Sequence, residues 1–194
     1  SSLIYYYYNG TANVGAGWRK SGVAGSLAND VVLPPDSPFI VRLSVATNTS
    51  VTLVGAVPMM GYTTTLSTLA PNTDQDIAVG VSVPCNITLT QSKLYESGAF
   101  KPSSGFGASP SVRNDQLLVF DNTASGQDKA AVQIYYFYNG TANVGAGWRL
   151  SGNATFSQNN TAVFQPGNGY IIRKKGTPTP SSVTWSFVPP YLTP

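Results

Sequence analysis

Residues 4–19 and 134–149 are nearly one sequence written twice. Both read Ile-Tyr-Tyr-x-Tyr-Asn-Gly-Thr-Ala-Asn-Val-Gly-Ala-Gly-Trp-Arg, and only Tyr7 against Phe137 differs. Two copies of one unit are expected to fold alike, and repeats build assemblies more often than active sites. After Ser21-Gly22 and Ser151-Gly152 the copies diverge and differ in length by about one residue, as a tolerant loop would. They realign as residues 32–42 against 163–173, and again as Val51-Thr52-Leu53 against Val183-Thr184-Trp185. Each copy then runs into proline, at Pro58 and at Pro189-Pro190. The unit therefore contains three strand-like segments in one order, bounded by Gly, Pro, Asn or Ser.

What precedes the copies differs. Residues 115–121, Asp-Gln-Leu-Leu-Val-Phe-Asp, make a plausible strand, and the turn-rich residues 122–129 join it to the second Tyr-rich segment. That arrangement predicts a β-hairpin. The first copy has only Ser1, Ser2 and Leu3 ahead of it, so its unit is expected to lack a strand. The division expected is residues 1–62 as an N-terminal β unit, 63–82 as a Thr/Pro/Asn-rich linker, and 83–194 as a complete C-terminal unit. The fold class is all-β, as two related β-sandwich or barrel-like units.

Composition supports that class. Charged residues make up only 10% of the 194, well below the usual quarter, and Thr, Ser, Asn, Tyr and Gly carry the polar surface instead. Apolar runs are short, β-branched or aromatic, and punctuated, with no sustained 3.6-residue period. Two single helical turns are conceivable, near residues 92–98 and 128–132. Such a surface is typical of secreted or cell-surface β proteins. The net charge of +3 is small, and its one cluster, Arg173-Lys174-Lys175, reads as a solvated loop. No basic stripe with interleaved aromatics points to nucleic acid, and no apolar run reaches the length of a membrane span.

Catalytic chemistry finds little to work with. The chain has no histidine and one cysteine, Cys85, which reads as a small hydrophobe and leaves no intrachain disulfide. Asp74 and Asp76 have the spacing to share a strand face, but residues 72–76 read as a polar turn rather than a glycosidase pair. Residues 121–128 offer hard oxygen ligands at a spacing that fits no standard calcium loop, and an Asx turn is the plainer reading. No cofactor or metal is expected, and the chain is expected not to be an enzyme. Asn-x-Ser/Thr triplets at Asn9, Asn48, Asn86, Asn139, Asn153 and Asn159 are compatible with a glycosylated surface protein.

The Tyr rows carry the functional expectation. Along a strand Tyr5 and Tyr7 face one way and Tyr6 and Tyr8 the other, so both faces are aromatic. Burial against a neighbouring sheet or subunit is preferred over a sugar-stacking platform. Trp18 and Trp148 are expected as buried anchors, with Arg19 and Arg149 stacking on them or on the Tyr rows.

The order of motifs resembles the C-terminal part of an uncharacterised family of secreted β-repeat proteins of verrucomicrobial bacteria. The segments that carry the resemblance are residues 37–42 (Ser-Pro-Phe-Ile-Val-Arg), 55–59 (Gly-Ala-Val-Pro-Met), 74–79 (Asp-Gln-Asp-Ile-Ala-Val), 94–100 (Leu-Tyr-Glu-Ser-Gly-Ala-Phe) and 115–122, with the Tyr-Asn-Gly and Gly-Trp-Arg segments. It covers nearly the whole chain and implies a protein extending upstream of the position equivalent to Ser1. It brings no activity and no functional residues.

The resulting expectation is a structural subunit of an extracellular filament, surface layer or matrix. It would assemble head-to-tail with copies of itself through β-strand complementation. The interface would comprise Leu3, Ile4, Tyr5, Tyr6, Tyr7 and Tyr8 on one side, with Tyr191 and Leu192, or the strand before them, as donor. The alternative is a secreted carbohydrate-binding or adhesive module, with glycans as partners.

Overall fold

A computed structural model describes residues 3–23, 25–34, 39–43, 56–105, 113–124, 126 and 128–193. The strands are β1 (Tyr5–Tyr8), β2 (Gly17–Lys20), β3 (Tyr62–Ser67), β4 (Gln75–Gly80), β5 (Ile87–Thr88), β6 (Gln116–Val119), β7 (Gln133–Tyr138), β8 (Gly147–Leu150), β9 (Ala162–Phe164), β10 (Gly169–Lys174) and β11 (Ser182–Phe187). No α-helix occurs among the described residues, and the protein is all-β. The chain divides into two compact units, Ser1–Pro35 and Asp36–Pro194.

In the first unit β1 and β2 form an antiparallel hairpin, with Tyr5 opposite Lys20 and Tyr8 opposite Gly17. β1 has no other strand partner among the described residues.

In the second unit a five-stranded antiparallel sheet runs in the order β4-β10-β6-β7-β8, and two ribbons, β11-β3 and β5-β9, share its core. The hydrophobic pattern explains the layering. Tyr170, Ile172 and Lys174 alternate inward along β10, as period-two burial requires. Leu117, Tyr135, Phe137 and Trp148 from the sheet meet Leu66, Ile87, Phe164, Trp185 and Phe187 from the ribbons. Trp185 is fully buried and its indole N–H donates to the Ser92 carbonyl at 2.6 Å, so even this polar edge is satisfied. Residues 89–98, between β5 and β6, are turns that carry buried Leu89 and Leu94 into the core.

The hairpin anticipated ahead of the second Tyr row is present: β6 pairs β7 with Leu117 opposite Tyr135 and Leu118 opposite Ile134. Residues 121–124 form the Asx turn, in which the Asp121 carboxylate accepts from Thr123 N (2.8 Å), Thr123 Oγ1 (2.6 Å) and Ala124 N (3.3 Å). The Thr123 hydroxyl is the main reason its pKa lies below the ordinary value.

Two expectations are corrected. Residues 63–82 are not a linker: β3 and β4 lie there, paired with β11 and β10, and the units part near Pro35 instead. The sequence reading took polar residues as linker, but Thr63, Thr64 and Thr65 are the outward positions and core-edge positions of an ordinary strand, with Tyr62 and Leu66 buried. Nor is Arg173-Lys174-Lys175 a solvated loop. It ends β10, where each cation has its own carboxylate: Arg173 with Asp76, Lys174 with Asp115, Lys175 with Asp74. The Val51-Thr52-Leu53 segment lies outside the described residues.

The tight turn of each hairpin needs glycine. Gly10 and Gly140 have φ of +86° and +83°, and a Cβ at Gly140 would lie 2.6 Å from the Ala146 nitrogen. Gly140→Ala is therefore expected to destabilise the second unit by about 1–3 kcal/mol. Denaturant unfolding checks it, and an unchanged midpoint would show that the turn relaxes freely.

Candidate interaction surface

The two copies of the repeat fold into the same hairpin. Tyr7 stands opposite Trp18 and Phe137 opposite Trp148, at the same register in each. Thr11 N donates to Val14 O at 2.8 Å, and Thr141 N to Val144 O at 2.8 Å. Arg19 Nη2 donates to Gly15 O at 2.8 Å, and Arg149 Nη2 to Gly145 O at 2.7 Å. The identity also runs past the point where the sequences diverge. Asn29 and Asn159, each eleven residues on, accept the backbone N–H of Trp18 and Trp148 at 2.9 and 2.8 Å. Gly17 and Gly147 make room for this, because a Cβ there would press within 3.0 and 2.8 Å of the respective Asn oxygens.

Even the exposed rings keep core geometry. The Tyr7 and Trp18 rings meet edge-on, with centroids 5.7 Å apart at 80°, and Phe137 and Trp148 do so at 5.5 Å and 88°. What differs is the cover. Trp148 is 1% exposed and Trp18 48%; Tyr136 is 0% exposed and Tyr6 50%. In the second copy β6 pairs the outer edge of β7, Tyr95 stacks on Phe137 at 3.5 Å, and Phe100 packs on Trp148 at 4.9 Å. Tyr136 and Tyr138 are buried on the opposite face as well.

The expected site residues sort accordingly. Leu3, Ile4, Tyr6 and Tyr7 are exposed, and Tyr5 and Tyr8 are half-buried in their hairpin. Trp148 is a buried anchor, but Trp18 is not; its sequence context is the same and only its cover is missing. Arg19 and Arg149 are buried, and both tie down turn carbonyls. Tyr191 and Leu192 do not form an extended donor strand. Pro190–Leu192 is a 3-10 turn, and the Tyr191 hydroxyl donates to Pro58 O at 2.8 Å. Two prolines preset that turn and remove the N–H groups a donor strand would use.

Sequence reasoning gave Asn29 no role and took Asn159 only as an Asn-x-Thr triplet; the signal for their shared role is an Asn at a fixed offset in otherwise divergent loops. It also missed Asp115, whose buried carboxylate pairs with Lys174.

The carboxylates of Asp74 and Asp76 are committed to structure. Asp76 accepts both arms of the Arg173 fork at 2.7 and 2.8 Å. Asp74 accepts from the Gly176 backbone N–H at 2.9 Å, which holds its carboxyl below the ordinary value. Cys85 is half-buried against the core. Among the described residues no three His, Cys, Asp or Glu side chains converge, and no helix is long and apolar enough to cross a membrane. Comparison with protein-family models, curated proteins and solved structures returns no match.

Proposed function

We propose that this chain is a structural protein of an extracellular or cell-surface assembly, joined to its neighbour by β-complementation at the β1–β2 hairpin. One observation carries the reading. One repeated sequence forms the same hairpin twice, buried on both faces in one place, while in the other Tyr7 and Trp18 on one face and Tyr6 on the opposite face stand exposed. A lone two-stranded hairpin is marginally stable in water, and an open aromatic strand edge is an association site. The low charge and polar, Thr- and Asn-rich surface fit an extracellular setting. A head-to-tail homopolymer is one such assembly. In it the outer edge of β11 would be the strand left to pair β1, since the residues after it are folded into a turn, and the aromatic faces would need a separate cover.

A second reading has one observation in its favour, the exposed Trp18 with Tyr7 beside it, which could stack on sugar rings. The edge-on geometry of that pair, shared with the buried Phe137–Trp148 pair, favours a protein cover.

The test is fractionation of the source cells. The intact chain is expected with the extracellular or surface material. A chain lacking residues 1–23 should be released as a soluble, folded second unit. Equal distribution of the two chains, or an intact chain found only inside the cell, would sink the reading.

A further inference from the structure

Among the described residues, five of the six strand pairs in the second unit join a strand from residues 56–132 to one from residues 133–193. β4 and β6 flank β10, β6 pairs β7, β3 pairs β11 and β5 pairs β9. Only β7–β8 lies within the later half. Without the earlier half, that hairpin is the one pairing left.

The described part of residues 4–43 matches this remainder. The β1–β2 hairpin is formed at the β7–β8 register, and nothing else is paired as a strand. Residues 32–34 and 39–42, the counterparts of β9 and β10, form no strand. Their apolar side chains are bare where the counterparts are core: Val32 is 79% exposed against 6% for Val163, and Val41 55% against 0% for Ile172. The hairpin made by the later half alone is present, and the described counterparts of β9 and β10, which pair with the earlier half, form no strand.

We propose that residues 4–43 are part of a second, half-built domain of this fold, and that its occupant is a polypeptide segment built like this chain's own residues 56–132. This rests on the reading above only in taking the hairpin as an acceptor. The occupant's chemistry follows from the covered copy. A strand like β6 pairs β1, placing leucines opposite Tyr5 and Ile4. An aromatic ring at the place of Tyr95 stacks on Tyr7, and one at the place of Phe100 packs on Trp18. A second copy of these residues is not the occupant, because its one such segment already covers its own β7. An edge strand such as β11 would pair β1 yet leave both aromatic faces wet. A glycan would supply no backbone pairing at all.

The test adds a second copy of residues 56–132 to the intact chain, joined directly to Leu3, the counterpart of Gln133. A second version joins it to Ser1 through a flexible Gly/Ser linker. Hydrogen exchange is read by mass spectrometry on peptides from the two hairpins, which Tyr7 and Phe137 distinguish. Amides of Tyr5–Tyr8 and Gly17–Lys20 are expected to slow by about 100-fold or more, towards the rates of β7–β8. Leu117→Asp with Leu118→Asp in the added copy alone should abolish that protection. If both fusions leave the first hairpin exchanging as in the parent chain, the proposal is overturned, whether or not the added segment folds. It is equally overturned if protection survives the two Asp substitutions. Protection in the fusion with a parent chain that is soluble in its source keeps the acceptor and removes the assembly reading. Incorporation of the parent with no protection in the fusion does the reverse.

Discussion

Trp148→Ala is expected to cost the second unit about 3–5 kcal/mol, while Trp18→Ala leaves that unit's stability within about 0.5 kcal/mol. The two residues share sixteen positions of near-identical context, the same cross-strand register with an aromatic partner (Tyr7 and Phe137) and the same Asn cap. Sequence-local reasoning predicts equal costs. The difference comes from tertiary cover, since Trp148 packs against Phe100 and Phe137 inside a core that closes over it. Removing the indole there leaves a cavity that a close-packed interior fills only in part. Removing Trp18 uncovers nothing already dry. Urea unfolding followed by the emission of Trp185, buried in the second unit of both variants, checks the pair. Equal losses from the two substitutions would mean that Trp18 is buried in solution, and the bare-hairpin description would fail.

That contrast marks what can be read from the residues and what cannot. The strand class, the β6–β7 hairpin and the equivalence of the two Tyr rows follow from alternation, turn residues and self-similarity, which are local signals. Burial is not local. Trp18 and Trp148 sit in the same repeated block, and the differences near them, Tyr7 for Phe137 and Lys20 for Leu150, do not by themselves place one inside and one outside. The stretch 63–82 was misread for a related reason. Its Thr and Asp residues describe the outer face of β3 and β4, and their pairing partners stand about a hundred residues away in β10 and β11. The basic run at 173–175 likewise looked solvated because its carboxylates come from residues 74, 76 and 115.

Asp115→Ala is expected to destabilise the second unit by about 3–5 kcal/mol, as removal of one partner from a buried ion pair does. Asp115 is fully buried, and its carboxylate does three jobs. It accepts Lys101 N at 2.7 Å, Lys175 N at 2.8 Å and the Lys174 ammonium. The ammonium also donates to Ala99 O at 2.6 Å. Alanine at 115 would leave a buried cation with one neutral acceptor and two backbone N–H groups with none. The double variant Asp115→Ala, Lys174→Met should recover part of the loss by removing the stranded charge. It should not recover all, because the two N–H groups stay unsatisfied. Asp76→Ala is the surface comparison. Its pair with Arg173 is bidentate but about 40% exposed on both sides, and its loss should cost at most about 1 kcal/mol. A urea series on the four chains decides the matter. If Asp115→Ala costs no more than Asp76→Ala, the carboxylate is solvated, and the junction it holds between the Ala99–Lys101 segment and the end of β10 is not a structural tie.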